Sequence, residues 1–225
     1  MIRLILCDTG ALPPDSAIEM ANGIPEICGV LRNGKSEEYL RDSYASYLAL
    51  HRLFPSLGLG ALPCLLRDGM GKPYPEGSRY GISISHRSGV ALIGISDGCE
   101  IGVDIERYTD KDISHLADRF IKDMRFKELK CTDVELYFAK LDQSADLENI
   151  SKNCVNDKNN LQIAQIDSHR DGYSAWTALE SVLKCEGCGF GGVSAIEELK
   201  EHISVMTLHL EFNGSAYAIS LAKKQ

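Results

Sequence analysis

Asp104 and Glu106 sit at the end of an apolar run, Ile101-Gly102-Val103-Asp104-Ile105-Glu106, that otherwise reads as buried sheet. Side chains two apart on a strand project from one face, so these carboxylates should stand side by side, about 7 Å apart at the backbone. Two close carboxylates repel unless a cation lies between them, which makes a cation site the chemistry this pair suggests. Ser85-His86 closes an earlier run and adds a hydroxyl and an imidazole to the same neighbourhood. Glu180 and Lys184 are four apart in a helical pattern and share one helix face; as a plain surface ion pair they would contribute only a few tenths of a kcal/mol. Cys185-Glu186-Gly187-Cys188 has ligand-like spacing, but the chain holds no second C-x-x-C, so it lacks the four ligands of a structural zinc site.

These residues need elements to hold them. Residues 81–84, 90–95 and 101–105 are rich in β-branched side chains, are divided by Gly- and Asp-containing breaks, and read as adjacent strands. Asp97-Gly98 between the last two is a tight-turn signal. Residues 1–7 read as a first strand, and 42–54 as a helix, from apolar spacings of three and four that end at Pro55. Residues 56–79 mix Gly, Pro and Arg and include Gly71-Lys72-Pro73, a stiff prolyl loop at the entrance to the central strands. After Glu106 the chain becomes more charged. Residues 112–130 suit an amphipathic helix, 134–141 a second helical piece, and 161–166 a short strand inside a polar, Asn-rich stretch, 142–172, that reads as a flexible insertion. Residues 174–184 restore a helix, and 202–212 with 215–222 flank Asn213-Gly214 as a hairpin.

A chain of 225 residues can bury a substantial core, as one large domain or two small ones. Its net charge of −8 argues against broad attraction to nucleic acid or anionic lipid. Its apolar runs are too short to span a membrane, and its eight scattered cysteines, without a secretory signal, are expected as buried thiols of a cytoplasmic protein.

The order of these motifs resembles the 4′-phosphopantetheinyl transferases, in particular the larger monomeric kind that activates synthetase carrier domains. Four blocks carry the resemblance: Gly71-Lys72-Pro73; Ser83-Ile84-Ser85-His86; Ile101-Gly102-Val103-Asp104-Ile105-Glu106; and Trp176-Thr177-Ala178-Leu179-Glu180-Ser181-Val182-Leu183-Lys184, followed by Gly187 and Gly189. It implies an α+β fold of two similar halves, 1–107 and 108–225, related by a pseudo-twofold axis with the active site in the cleft between them. It also implies transfer of the 4′-phosphopantetheine arm of coenzyme A to a serine of an apo acyl, peptidyl or polyketide carrier protein, releasing adenosine 3′,5′-bisphosphate. Such phosphoryl transfer is mostly alignment and charge neutralisation, for which oxygen-liganded Mg²⁺ is suited.

By that resemblance Asp104, Glu106 and Glu180 bind Mg²⁺, Glu180 being a ligand first and also the favoured general base, with a metal-ordered water as the alternative base because metal binding lowers a carboxylate's basicity, and Lys184 contacts the phosphates. Ser85 and His86 lie around the coenzyme A phosphates, Gly71, Lys72 and Pro73 form the adenine-side loop, and Arg41 supplies a cation near the 3′-phosphate. One departure stands out: the family usually has lysine directly before the motif glutamate, and this chain has Leu179. A missing cation beside a polyphosphate would weaken binding or rate by ~1–3 kcal/mol unless Lys184 or a cation from another element replaces it; Leu179→Lys would be expected to tighten coenzyme A or quicken transfer in the first case and to do nothing in the second. The alternatives are a degenerate relative that binds coenzyme A or a carrier without transfer, and a metal-dependent hydrolase using the same carboxylates.

Overall fold

The computed structural model describes residues 1–31, 36–111, 113, 126–154, 172–189, 199 and 201–225. It is mixed α+β. At its centre is β1 (Ile2–Asp8), which pairs antiparallel with β5 (Val90–Asp97) and parallel with β8 (Val134–Leu141). Two edge strands, β4 (Tyr80–Arg87) beside β5 and β9 (Leu147–Cys154) beside β8, complete a five-stranded sheet. A second sheet runs in the order β6 (Ile101–Arg107), β11 (Ser215–Lys224), β10 (Ile203–Phe212) and β7 (Lys127–Glu128). A small ladder pairs β2 (Leu65–Arg67) with β3 (Pro73–Pro75). Four α-helices lie among the described residues: α1 (Pro14–Asn22), α2 (Pro25–Cys28), α3 (Glu37–Ser56) and α4 (Gly172–Glu186). None of the helices is long and apolar enough to cross a membrane.

Alternation along β1 explains the layering. Ile5 and Cys7 point into one core with α1, α2 and α3, while Ile2, Leu4 and Leu6 point into another against Val103, Ile105, Leu208 and Ile219 of the second sheet. A sheet buried on both faces needs continuous apolar runs, which is what β5 shows. The far face of the second sheet carries Val205 and Ala222 against Val182 and Cys185 of α4. The layers are therefore helices, sheet, sheet and helix, and both sheets take strands from either side of residue 107.

The strands at 81–84, 90–95 and 101–105 form as expected, but they are not three neighbours. β4 and β5 pair antiparallel, whereas β6 leaves that sheet to pair with β11. Its Ile101, Val103 and Ile105 still pack on the first sheet, now face to face and not edge to edge. Residues 134–141 are strand and not helix. A register shift between Phe138 and Lys140 breaks their alternation, and that irregularity mimics helical spacing. The described part of the polar stretch after residue 142, expected as a flexible insertion, forms a turn and a strand. Asp142 Oδ1 accepts from the backbone N–H groups of Ser144 and Asp146, at 2.8 and 2.9 Å, and turns the chain into β9. As an edge strand β9 exposes most of its described side chains, which is why its composition resembles a loop. Most of the helix expected at 112–130 and the strand expected at 161–166 lie outside the described residues; within 126–130 the chain forms β7.

Helix α3 starts five residues earlier than its apolar spacing indicates. Ser36 caps it by accepting from the Tyr39 N–H, and Glu37 and Glu38 complement the helix dipole. The closing hairpin forms as read, with Asn213 at φ 51° and Gly214 at φ 70°, the positive values that a two-residue turn between twisted strands requires.

Candidate functional site

The two sheets meet where β4 runs alongside β6. Ser83, Ser85 and Arg87 share one face of β4, and each reaches a successive part of β6. The Val103 N–H donates to Ser83 Oγ at 3.0 Å, Ser85 Oγ donates to Asp104 Oδ1 at 2.8 Å, and Arg87 Nε pairs with Glu106 Oε2 at 3.1 Å. Asp104 and Glu106 do share a face, the one opposite Ile101, Val103 and Ile105, and it turns toward α4.

Helix α4 brings the remaining groups. Lys184 Nζ lies 2.5 Å from Asp104 Oδ1, 3.0 Å from Ser85 Oγ and 3.5 Å from Glu180 Oε2. This centre depends on a close approach of helix to strand. At Gly102 a Cβ would stand 2.0 Å from the Ser181 carbonyl oxygen and 2.3 Å from the Cys185 nitrogen, so only glycine fits under the helix. Ser174, Thr177 and Ser181 supply small side chains on the buried side, and Thr177 Oγ1 shares a 2.8 Å hydrogen bond with Ser220 Oγ on β11. After Glu186 the chain turns through Gly187 at φ 72°, with the Cys188 N–H returning to the Leu183 carbonyl at 3.2 Å.

The electrostatics are strained by three carboxylates sharing little water. Burial, and then the charge of Asp104, push the Glu180 carboxyl up to about 7, against the pull of Lys184. Burial raises Glu106 as well, with Arg87 lowering it and Asp104 adding to the rise. For Lys184 burial works against the charge, but Asp104 and Glu180 outweigh it and hold the ammonium above the usual lysine range. Asp104 is 2% exposed, and its second oxygen, Oδ2, is buried without a hydrogen-bond partner among the described residues. A buried, unpartnered carboxylate oxygen beside two further carboxylates fits a hard cation in its donor chemistry. Among the described residues no three such side chains form a ready-made metal cage, and Lys184 and Arg87 stand on the carboxylates themselves.

Around the edge of β4 lies a cavity of about 310 Å³, at the low end of small-molecule pockets. Ile82, Ile84 and His86 form one wall, Tyr39, Ser43 and Tyr47 of α3 another, and Gly71, Lys72 and Pro73 a third; Lys184 reaches it from the carboxylate centre. Consecutive strand residues point to opposite faces, so Ser85 and His86 separate. Ser85 joins Asp104, while His86 packs edge-on to Tyr39 with ring centroids 5.0 Å apart. Lys72 lines the cavity with its stem and bolts the prolyl loop in place, its ammonium bonding Glu100 and, at 2.7 Å, the Cys185 carbonyl. Arg41 is held on Asp42 Oδ1 by Nε at 2.8 Å and Nη2 at 2.6 Å and is not among the cavity's lining residues.

Three other residues belong to this region. Arg67 lines the cavity, and its guanidinium donates to the Gly71 carbonyl at 2.6 Å, to Tyr47 Oη at 3.3 Å and to the Val30 carbonyl. Arg87, two residues after Ser85, was findable from strand alternation alone. Leu179, the third, matters for the opposite reason: it turns away from the site and is not among the cavity's lining residues. It is fully buried with Leu183, against Phe126, Trp176, Cys188 and Leu199. Cys185 is an inert thiol, pushed up to about 12 chiefly by burial.

Fold and site together define a mixed α+β protein with a buried carboxylate–lysine centre opening onto a small-molecule-sized cavity. Compared with protein-family models and with curated proteins, the chain finds no match.

Proposed function

We propose that the protein transfers the 4′-phosphopantetheine arm of coenzyme A to a serine of an apo carrier protein by Mg²⁺-dependent phosphoryl transfer, releasing adenosine 3′,5′-bisphosphate. The observation that carries this reading is convergence. Four motifs spread from Gly71 to Lys184 meet around one ammonium, with Ser85, Asp104 and Glu180 on Lys184 and with Gly71, Lys72, Pro73 and His86 along the cavity that Lys184 enters. The reading brings with it two similar halves, 1–107 and 108–225, about a pseudo-twofold axis, and a monomer acting in the cytoplasm.

Asp104, Glu106 and Glu180 would hold the Mg²⁺, a reading that the buried, unpartnered Oδ2 of Asp104 supports. Bound there, the ion would supply positive charge against a pyrophosphate. Lys184 supplies a fixed cation at the cavity's inner end, where a leaving phosphate gains charge. Burial raises the Glu180 carboxyl to about 7 without an ion; a bound ion would lower it, so Glu180 acts as a ligand first and is a weaker base toward an incoming serine hydroxyl. His86 and Tyr39 offer ring surface to a nucleobase, and the Gly71 loop, tied down by Lys72 and Arg67, closes the outer wall.

The test is incubation with coenzyme A, Mg²⁺ and a panel of apo carriers, followed by intact-mass spectrometry of each carrier. One added phosphopantetheinyl group on at least one carrier is expected. Coenzyme A binding with no mass gain on any carrier would leave the degenerate binder, and phosphate-containing product released without a carrier would identify a hydrolase.

A further inference from the structure

We propose that Arg87 couples cation binding to anion binding at this site, by competing with a divalent cation for Glu106 and offering its guanidinium to phosphate once displaced. The inference rests on the metal assignment above and adds a residue outside the four motif blocks.

The geometry is specific to Arg87. Its side chain is 53% exposed while that of Glu106 is 18% exposed, so the guanidinium stands at the rim over a carboxylate that faces inward. Lys184, by contrast, is enclosed by Asp104, Glu180 and Ser85 together. The backbone under Arg87 is fixed. The turn Ser88-Gly89 has φ 51° and 76°, the Gly89 N–H donates to the buried Asp42 Oδ2 at 3.2 Å, and the Gly89 carbonyl accepts from the Thr9 N–H at 2.9 Å and from Thr9 Oγ1 at 3.0 Å. Only the side chain is therefore left to swing.

A cation held by Asp104 and Glu106 would compete for the Glu106 carboxylate on which Arg87 rests and would place like charge beside the guanidinium. A displaced arginine keeps its charge and its forked donors, which match phosphate oxygens. The two ligands then favour one another, and by linkage each must tighten the other by the same factor.

The test measures binding and not turnover. Titration calorimetry gives the Mg²⁺ affinity with and without saturating coenzyme A, for the wild type, Arg87→Met and Arg87→Lys, with thermal unfolding to verify the folded state. In the wild type, coenzyme A should tighten Mg²⁺. In Arg87→Met, Mg²⁺ alone should bind about fivefold tighter, the scale of a half-exposed ion pair, and the coupling should fall by a similar factor to what direct attraction between ion and pyrophosphate leaves; Arg87→Lys should keep part of the lost share. Wild-type Mg²⁺ affinity and coupling in Arg87→Met overturn the proposal. An Asp104→Asn control separates that failure from failure of the metal assignment. If the control loses Mg²⁺ binding, the assignment stands and Arg87 alone is refuted; if it binds Mg²⁺ normally, both fall.

Discussion

Gly102 and Ser181 approach so closely that any side chain on Gly102 would collide with the Ser181 carbonyl oxygen, 2.0 Å from an ideal Cβ. The clash is with helix backbone, which cannot rotate away as a side chain can. Gly102→Ala must therefore lift α4, and with it Glu180 and Lys184, off Asp104. Overpacking of this kind costs about 1–3 kcal/mol or more. Thermal unfolding of Gly102→Ala should show a fall of several degrees, and activity at temperatures where the variant is still folded should be lost as well.

Leu179 is the position at which the resemblance predicts a missing cation, and its surroundings reverse the expected result of replacing it. The side chain is wholly buried among Leu183, Trp176, Phe126 and Cys188, on a different side of α4 from Glu180. A lysine there would bury its charge or drag the stem outward, at a cost of about 2–4 kcal/mol. Leu179→Lys should lower the unfolding midpoint and should not tighten coenzyme A. A variant with unchanged stability and a lower coenzyme A dissociation constant would restore the original expectation.

Asp104 is both the proposed ion ligand and the partner of Lys184, so its removal acts twice. Asp104→Asn should abolish carrier modification in the mass assay. It should also lower stability by about 1–2 kcal/mol, a figure reduced from that of fully buried pairs because the Lys184 side chain is 32% exposed. Urea unfolding of the variant gives the second number directly. Full transfer activity in Asp104→Asn would remove the residue from the site.

The acid groups also set a pH dependence. Folded Glu180 holds its proton to about 7, whereas an unfolded glutamate releases it near 4.5. Between those values the folded state binds more protons, so stability is full below 4.5 and falls as pH rises through 7; Glu106, also raised, adds in the same direction. The loss attributable to Glu180 is at most about 3 kcal/mol. Urea unfolding at pH 5, 6, 7 and 8 should show the decline, and Glu180→Gln should flatten it. Mg²⁺, which favours the ionised form, should also flatten it.

Sequence made the local pieces legible and left their partners open. Ile101, Val103 and Ile105 give β6 and its alternation, and Asp104 and Glu106 share a face as two-residue spacing requires. Nothing local says that β6 leaves β5 to pair with β11, because that choice is made by burial across the whole chain. The same limit applies to charge. Arg41, Arg67 and Arg87 are alike as letters, yet Asp42 ties down the first, backbone carbonyls orient the second beside the cavity, and Glu106 holds the third. The need for Gly102 was also silent, since it arises from a helix that begins 70 residues later.

Ser85 and His86, adjacent in sequence, should separate kinetically because β4 turns them to opposite faces. Ser85 Oγ bonds Asp104 and accepts from Lys184 at 3.0 Å, so its loss disturbs the groups proposed to act on the phosphoryl centre. His86 lines the cavity against Tyr39, so its loss removes surface that a bound ligand would use whether or not reaction proceeds. Removing uniform binding raises KM with kcat unchanged, whereas removing an interaction specific to the transition state lowers kcat. Ser85→Ala should therefore reduce kcat, by about tenfold for one hydrogen bond to charged groups, with little change in the KM for coenzyme A. His86→Ala should raise that KM and leave kcat within about twofold. Steady-state rates with coenzyme A varied at saturating carrier distinguish the two, and a shift in the same constant for both variants would mean that the faces of β4 do not divide binding from chemistry.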